Sequence, residues 1–307
     1  MTDEMLEGLI VKSQSGFFEI QISETEFVTC ELRGRLKQGA RKGDLLAVGD
    51  RVKISMLPEG TGMIEEVLPR KRAIVRMDPR PRGVYRQVLL ANPDQAVFVF
   101  ACAKPDPRMR MLDRFLVIAE QQEIPTIIIA NKVDLIGLAE AESLFGHYAK
   151  IGYPVLYTSA AEQIGIDELH KILKGKLSAF AGPSGVGKSS LLNTMQPGLG
   201  IAVNEISDAL NRGTHTTTHR QLYPLKDGGY VADTPGWKSL ALWDTQPEEL
   251  DGYFPDIAPL VAQCRFSDCT HTHEPSCAVL PALENGELHE ERFDSYLRMR
   301  DGLKKKR

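Results

Sequence analysis

Cysteine is scarce in this chain. Five residues, Cys30, Cys102, Cys264, Cys269 and Cys277, are spread over 307 positions. An odd total, with three of the five crowded near the C-terminus, argues against a secreted disulfide framework and for a reducing compartment, the cytoplasm. Long apolar runs are missing too. None approaches the roughly 20 residues that span a bilayer, so no membrane contact is expected. The N-terminal MTDEMLEGLI is acidic and lacks the basic-then-apolar order of a secretory signal. A strong charge of one sign is also absent: 37 Lys and Arg against 41 Asp and Glu leave −4. Global attraction to nucleic acid is therefore not implied, and any such contact must come from local patches.

What the chain does have is apolar content of 42%, ample for a core, and a length that suggests about two domains, or three if one is small. It also has one stretch of unmistakable chemistry. Gly182 to Ser190 read GPSGVGKSS and fit the phosphate-loop spacing G-x-x-x-x-G-K-[ST]. Phosphates need backbone N–H groups aimed inward, and side chains would block that approach. Gly182, Ser184, Gly185, Val186, Gly187, Lys188, Ser189 and Ser190 form the candidate cradle. Lys188 can reach the β and γ phosphates, and the Ser189 hydroxyl can ligate Mg²⁺. Leu177 to Ala181 reads as a buried strand before it. Ser189 to Met195 opens a helix after it, whose N-terminus favours anions. A chance match in a Gly-rich turn would not bring that strand and helix with it.

Residues 5 to about 70 read as β. Runs at Leu9–Lys12, Phe17–Ile22, Phe27–Arg33, Arg51–Met56 and Gly62–Val67 are separated by Gly- and Asp-rich turns. Five short strands suggest a small barrel of the OB type. Phe17, Phe18 and Phe27 could stack bases or fill the barrel, and the core role is favoured. Residues 69 to 86 then carry Arg70, Lys71, Arg72, Arg76, Arg80, Arg82 and Arg86 against Asp78. Pro69, Pro79 and Pro81 exclude one continuous helix, so the stretch reads as a linker. It could contact phosphates or merely be solvated.

From Gln87 the pattern changes. AVFVFA at Ala96–Ala101 and TIIIA at Thr126–Ala130 are continuous apolar runs, as for strands buried on both faces. A further strand is expected at Val155–Thr158, and helices at Met111–Gln121, Ala139–Ile151 and Ile166–Leu173. This alternation means a parallel sheet in an α/β domain. A hairpin, Arg220–Leu225 with Tyr230–Ala232, turns at Asp227-Gly228-Gly229 and ends in Asp233-Thr234-Pro235-Gly236. An acidic residue ending a strand after a phosphate loop can hold Mg²⁺, usually through water. Beyond Trp237 short helical pieces, a cysteine cluster, a charged helix at about 286–303 and a basic tail follow.

The base is chosen by Asn131-Lys132-Val133-Asp134, directly after TIIIA. A carboxylate accepts two hydrogen bonds, from guanine N1–H and the 2-amino group. Adenine lacks both donors and would leave Asp134 unpaired, at about 1–3 kcal/mol. Lys132 can lie along the base, and Asn131 can tie this loop to the phosphate loop. In Thr158-Ser159-Ala160, Ser159 and Ala160 can offer backbone N–H to guanine O6.

These elements are similar to the five motifs of Ras-like GTPases, in an altered order. NKVD and TSA precede GPSGVGKS, the HTTT loop and DTPG, as in a circularly permuted GTPase. With the β-rich N-terminal region, RGTHTTT and the C-terminal cysteines, the chain resembles the ribosome small-subunit-dependent GTPase A family over essentially its whole length. That resemblance implies a circularly permuted α/β P-loop GTPase domain at 71–245, an N-terminal OB-type barrel at 1–70 and a small helical zinc-binding domain at 246–307. It implies GTP hydrolysis stimulated by the 30S ribosomal subunit during its late maturation. The accessory domains would contact 16S rRNA, the partners would be GTP and GDP, and a monomer is expected. Cys264, Cys269, His271 and Cys277, spaced C-x4-C-x-H-x5-C, match the family's zinc positions, one structural Zn²⁺ per chain. His273 competes as the fourth ligand, and family spacing favours His271.

The resemblance also assigns the switches. A threonine of the GTHTTT loop should ligate Mg²⁺ beside Ser189 and Asp233; Thr217 is the choice and Thr216 the runner-up. Gly236 would meet the γ-phosphate. Trp237 stands where many GTPases place a water-orienting Gln, and an indole cannot orient water through a carbonyl. His215 is then the candidate catalytic group, with Lys188. Two other readings compete. A nucleotide-dependent RNA-binding scaffold would hydrolyse only incidentally and would not respond to 30S subunits. A P-loop ATPase or kinase is disfavoured by NKVD.

Overall fold

The computed structural model describes residues 5–34, 46–77, 86–199, 220–233, 242 and 245–304. Five strands come first: β1 (Leu6–Gln14), β2 (Phe17–Gln21), β3 (Phe27–Leu32), β4 (Arg51–Met56) and β5 (Gly62–Val67). They run β1–β2–β3–β5–β4, and β4 pairs back onto β1, so the sheet closes into a barrel. Alternation fixes the interior. Ile10, Ile20, Val28, Cys30, Val52, Ile54 and Ile64 are each at most 4% exposed. The three phenylalanines divide: Phe18 points inward, whereas Phe17 and Phe27 are 51% and 47% exposed and do not fill the core.

β1 is longer than the Leu9–Lys12 run that the sequence suggested. It serves three partners. Leu6–Leu9 pair with β4, Leu9–Gln14 with β2, and Lys12 and Ser13 with a strand far along the chain, with a bulge between Ile10 and Lys12. Polar residues at its far end are held by ladder bonds rather than by an apolar face, so hydropathy alone did not reveal them.

The arginine-rich stretch is not a plain linker. β6 (Ala73–Met77) pairs with β7 (Arg86–Ala91) as a two-stranded sheet. Ala73 and Val75 pack beside Ala47, Val88 and Ala91. The prolines exclude a helix there but leave the Ile74-Val75 pair free to build a strand. Arg70 bonds Asp50, a fully buried carboxylate, at 2.6 and 2.7 Å. Arg76 donates to Gln87. Arg80 and Arg82 lie outside the described residues.

The remaining elements are β8 (Gln95–Ala101), α1 (Met109–Gln121), β9 (Thr126–Asn131), a 3-10 turn (Val133–Leu135), α2 (Leu138–Lys150), β10 (Val155–Thr158), α3 (Ile166–Leu173), β11 (Leu177–Ala181), α4 (Lys188–Met195), β12 (Arg220–Pro224), β13 (Tyr230–Asp233), a second 3-10 turn (Leu250–Tyr253), α5 (Ala258–Val261), α6 (Val279–Glu284) and α7 (Glu290–Lys304). The described residues group into two compact units. One draws on Met1–Val97, Ile166–Ser184 and Lys188–Ala241, the other on Phe98–Gly165, Gly185–Gly187 and Leu242–Arg307.

In the first unit β11 and β13 run parallel, β12 is antiparallel to β13, and β12 pairs with β1 of the barrel at Lys12 and Gln221. The start of β8 is fastened here as well. Asp94 accepts from the Leu177 N–H at 2.7 Å, and the buried Gln95 amide donates to Ser178 Oγ and the Ile172 carbonyl.

In the second unit the order is β10–β9–β8, and β9 and β10 are parallel, with Asn131 opposite Thr158. β9 is buried along its length, as its apolar run requires. Phe115 of α1 sits on the sheet, its ring centroid 5.3 Å from Phe98 and 5.9 Å from Phe100.

The charged C-terminal helix, α7, is more buried than its composition suggests. Arg292 is 1% exposed. It donates to Asp113 of α1 at 2.8 Å and to Asp256 at 2.9 Å, and the rings of Tyr148, Tyr153 and Phe254 surround it. A buried cation needs such pairing. Among the described residues no helix is long and apolar enough to cross a membrane.

Candidate functional site

Parallel strands deliver their C-terminal ends to one edge of a sheet, where ligands collect. In the second unit β9 ends at Asn131 beside the end of β10 at Thr158. In the first unit β11 ends at Ala181, just before the glycine-rich loop. Asn131 is 1% exposed, and both ends of its side-chain amide are engaged. Its amide donates to the Val186 carbonyl in the phosphate loop at 2.7 Å, and its oxygen accepts from Thr158 Oγ1 at 3.0 Å. One residue therefore joins the N-K-x-D turn, the phosphate loop and the end of β10. Gly187 is required by that contact. A Cβ there would lie 2.5 Å from Asn131 Nδ2, and its φ of +95° suits only glycine.

Lys132 takes a left-handed conformation, φ +64°, which turns the chain sharply after β9. Its ammonium donates to the Gly185 carbonyl at 2.7 Å and to the Lys104 carbonyl. Asp134 lies exposed in the following 3-10 turn. The nearby Cys102 thiol is pushed up to about 11, by burial first and then by the Asp134 charge, so it stays protonated and inert. Ser159 is buried, and its hydroxyl accepts from the Glu162 N–H, shaping the turn that carries half-buried Ala160.

On the phosphate side, Lys188 and Ser189 open α4 and are each 5% exposed. Lys188 Nζ donates to the carbonyls of Gly182 and Pro183, at 3.1 and 2.9 Å. Ser184 and Gly185 are exposed at the loop's tip, and Ser190 is half-buried in the first turn. The backbone of Asp233 pairs beside Phe180. The Asp233 side chain, His215, Thr216, Thr217, Gly236 and Trp237 lie outside what is described.

The C-terminal cluster assembles as the spacing suggested. Cys264, Cys269, His271 and Cys277 bring one ligand atom each within 4.8 Å of one another. His271 Nδ1 stands 3.4 Å from Cys277 Sγ and 3.7 Å from Cys264 Sγ. His273 does not join them; it is exposed, with Nδ1 2.8 Å from the Thr272 hydroxyl. Three thiols and an imidazole at this spacing suit a small thiophilic cation. Burial, with the neighbouring Cys277 and Cys264, pushes the Cys269 thiol up to about 12. Three crowded thiolates cannot coexist without a countercharge. Glu274 braces the loop. Its carboxylate accepts from the backbone of Thr270, Thr272 and His273 and from the Thr270 hydroxyl. Although desolvation works against it, these bonds hold it well below the usual carboxylate range.

Comparison with known proteins agrees with this geometry. The family model described as RsgA GTPase matches residues 67–243, and that of the RsgA N-terminal domain matches 7–64. The chain belongs to the RsgA GTPase family. A relative from Gemmatimonas aurantiaca, named Small ribosomal subunit biogenesis GTPase RsgA, is 42% identical over 298 residues, 96% of this chain and 97% of that one. Another of the same name, from Alkaliphilus metalliredigens, is 40% identical over 99% of both. Among solved structures, YjeQ from Thermotoga maritima superposes with a TM-score of 0.79 at 37% identity, covering 97% of this chain and 98% of that one. YloQ, titled a circularly permuted GTPase, gives 0.75 at 34% identity, covering 99% and 96%.

The RsgA family's permuted order is visible in this chain as β9 and its N-K-x-D turn preceding β11 and the phosphate loop. Some supports of the RsgA site carried no sequence signal. Lys104 contributes only a backbone carbonyl to Lys132, and the hydroxyl of Thr158, first residue of the Thr158-Ser159-Ala160 motif, braces Asn131 in a way the motif did not suggest. Asp251, whose Oδ2 is 3.2 Å from His271 Nε2, was likewise missed.

Proposed function

We propose that this chain is a GTP hydrolase that binds the 30S ribosomal subunit, contacts 16S rRNA and acts late in the subunit's maturation. The observation that carries the reading is the Asn131 bridge to the Val186 carbonyl, which supports a guanine-reading turn directly against a phosphate loop. The curated relatives' name supplies the biological setting. We divide the chain into an OB-type barrel at 1–70, a permuted GTPase domain at 71–245 and a zinc-binding helical domain at 246–307, working as a cytoplasmic monomer.

Each residue has a role. Asp134 accepts from guanine N1–H and the 2-amino group, Lys132 lies along the base, and Ser159 and Ala160 turn backbone N–H groups toward O6. The phosphates rest on the backbone of Gly182, Ser184, Gly185, Val186, Gly187, Lys188, Ser189 and Ser190. Lys188 exchanges the Gly182 and Pro183 carbonyls for the β and γ phosphates. The Ser189 hydroxyl, buried in the first turn of α4, is a hard oxygen donor of the kind Mg²⁺ takes. With Thr217 and Asp233 it would hold that ion, which supplies countercharge to the phosphates. The Gly236 N–H meets the γ-phosphate, and His215 orients the attacking water. Cys264, Cys269, His271 and Cys277 hold one structural Zn²⁺.

The test is GTP turnover with and without purified 30S subunits, with ATP as control. A large stimulation specific to GTP is expected. Unstimulated turnover with nucleotide-dependent RNA binding would make the chain a scaffold. Equal use of ATP would remove Asp134 from its role.

A further inference from the structure

His271 is fully buried, and both of its ring nitrogens are engaged. Nδ1 faces the Cys264 and Cys277 sulfurs. Nε2 faces Asp251 Oδ2 at 3.2 Å, a carboxylate whose side chain is 14% exposed. Asp251 comes from another element, the 3-10 turn Leu250–Tyr253, 20 residues earlier in the chain.

An imidazole can bind a metal through one nitrogen only if that nitrogen lacks its proton. The proton must then sit on the other nitrogen, and a buried N–H needs an acceptor. Asp251 is placed to be that acceptor. We propose that Asp251 is the outer carboxylate of the metal centre. It is a positioning residue that accepts from His271 Nε2–H, keeps the Nδ1 lone pair aimed at the metal, and ties the 245–253 strap to it. The proposal rests on the metal reading given above.

Charge decides what kind of help Asp251 gives. A divalent cation with three thiolates is already singly negative, so a further carboxylate adds nothing to the cation's neutralisation. Its contribution is the hydrogen bond, which orients the ring and raises the ligand's basicity. The strap has independent anchors. Gln121 donates to Thr245 Oγ1 at 2.7 Å, Arg300 donates to the Pro247 carbonyl at 3.3 Å, and Leu250 is fully buried. Removing the Asp251 carboxylate should therefore weaken the metal centre without unfolding the strap.

The experiment is zinc competition against a chromogenic chelator for the full chain, Asp251→Ala and Asp251→Asn, with elemental analysis of each. Long-range ¹H–¹⁵N NMR of the His271 ring reads which nitrogen holds the proton. Asp251→Ala should bind zinc about 10–100-fold more weakly, the range seen when such outer partners are removed. Its His271 ring should lose the single Nε2–H form. Asp251→Asn keeps an oxygen acceptor and should retain most of the affinity. Equal affinity in Asp251→Ala with an unchanged ring signature would overturn the proposal. So would zinc on Nε2 in the unsubstituted protein, a readout that needs no variant to fold. A zinc-free unsubstituted protein would instead overturn the metal reading itself, and this role with it.

Discussion

The role proposed for Asp134 belongs to a single carboxylate, and its test is a single atom exchange. Asp134→Asn replaces an acceptor by an amide that presents a donor to guanine's donors. GTP affinity should fall at least about tenfold, the cost of a mismatched buried pair, while affinity for xanthosine triphosphate rises. Parallel titrations of the two nucleotides check this, and unchanged GTP binding would count against the assignment. His147 makes a second residue-scale prediction. Burial, then His289 stacked at 3.9 Å and the Arg292 charge, lower its imidazole to about 4. The unfolded chain binds its proton near 6.5 and the folded chain only near 4, so stability is full above about 6.5 and declines as pH falls toward 4. Partial exposure limits the loss to roughly 1–2 kcal/mol. Chemical denaturation at pH 7 and pH 4.5 should show a smaller drop for His147→Gln than for the unsubstituted protein.

Elements were legible in proportion to how plainly their side chains declare a face. Ala96–Ala101 of β8 and Ile127–Ala130 of β9 are unbroken apolar runs, and the Asp227-Gly228-Gly229 turn falls between its two strands as read. The phosphate loop and N-K-x-D turn were legible because fixed spacing is itself the signal. What stayed hidden depends on partners remote in sequence or on backbone atoms. Arg292 looks like a surface cation until Asp113, 179 positions away, is placed beside it. The Lys104 carbonyl has no residue signature at all. Two element-scale predictions follow from these contacts. Arg292→Ala leaves Asp113 and Asp256 buried beside an empty site and should cost about 3–5 kcal/mol, seen as a lower denaturation midpoint. Arg292→Met, which removes the cation but refills its volume, tests whether packing or pairing dominates. Gly187→Ala should lower nucleotide affinity by about tenfold or more with an unchanged circular dichroism spectrum, because the new methyl displaces Asn131 from Val186.

At the scale of the whole molecule, β1 has a role that its place in the barrel conceals. Lys12 and Ser13 supply the hydrogen-bond partners of Gln221 and Arg220, so the N-terminal strand is the outer border of the sheet that holds β11 and β13. A fragment starting after the barrel would present β12 with a bare row of N–H and C=O groups. Such a truncated protein should self-associate in sedimentation experiments, even though every nucleotide-binding motif remains in it. The two regions that the motifs separate are thus one unit to a protein engineer. Excising the barrel to isolate a minimal GTPase would not shorten the molecule so much as open a seam in it.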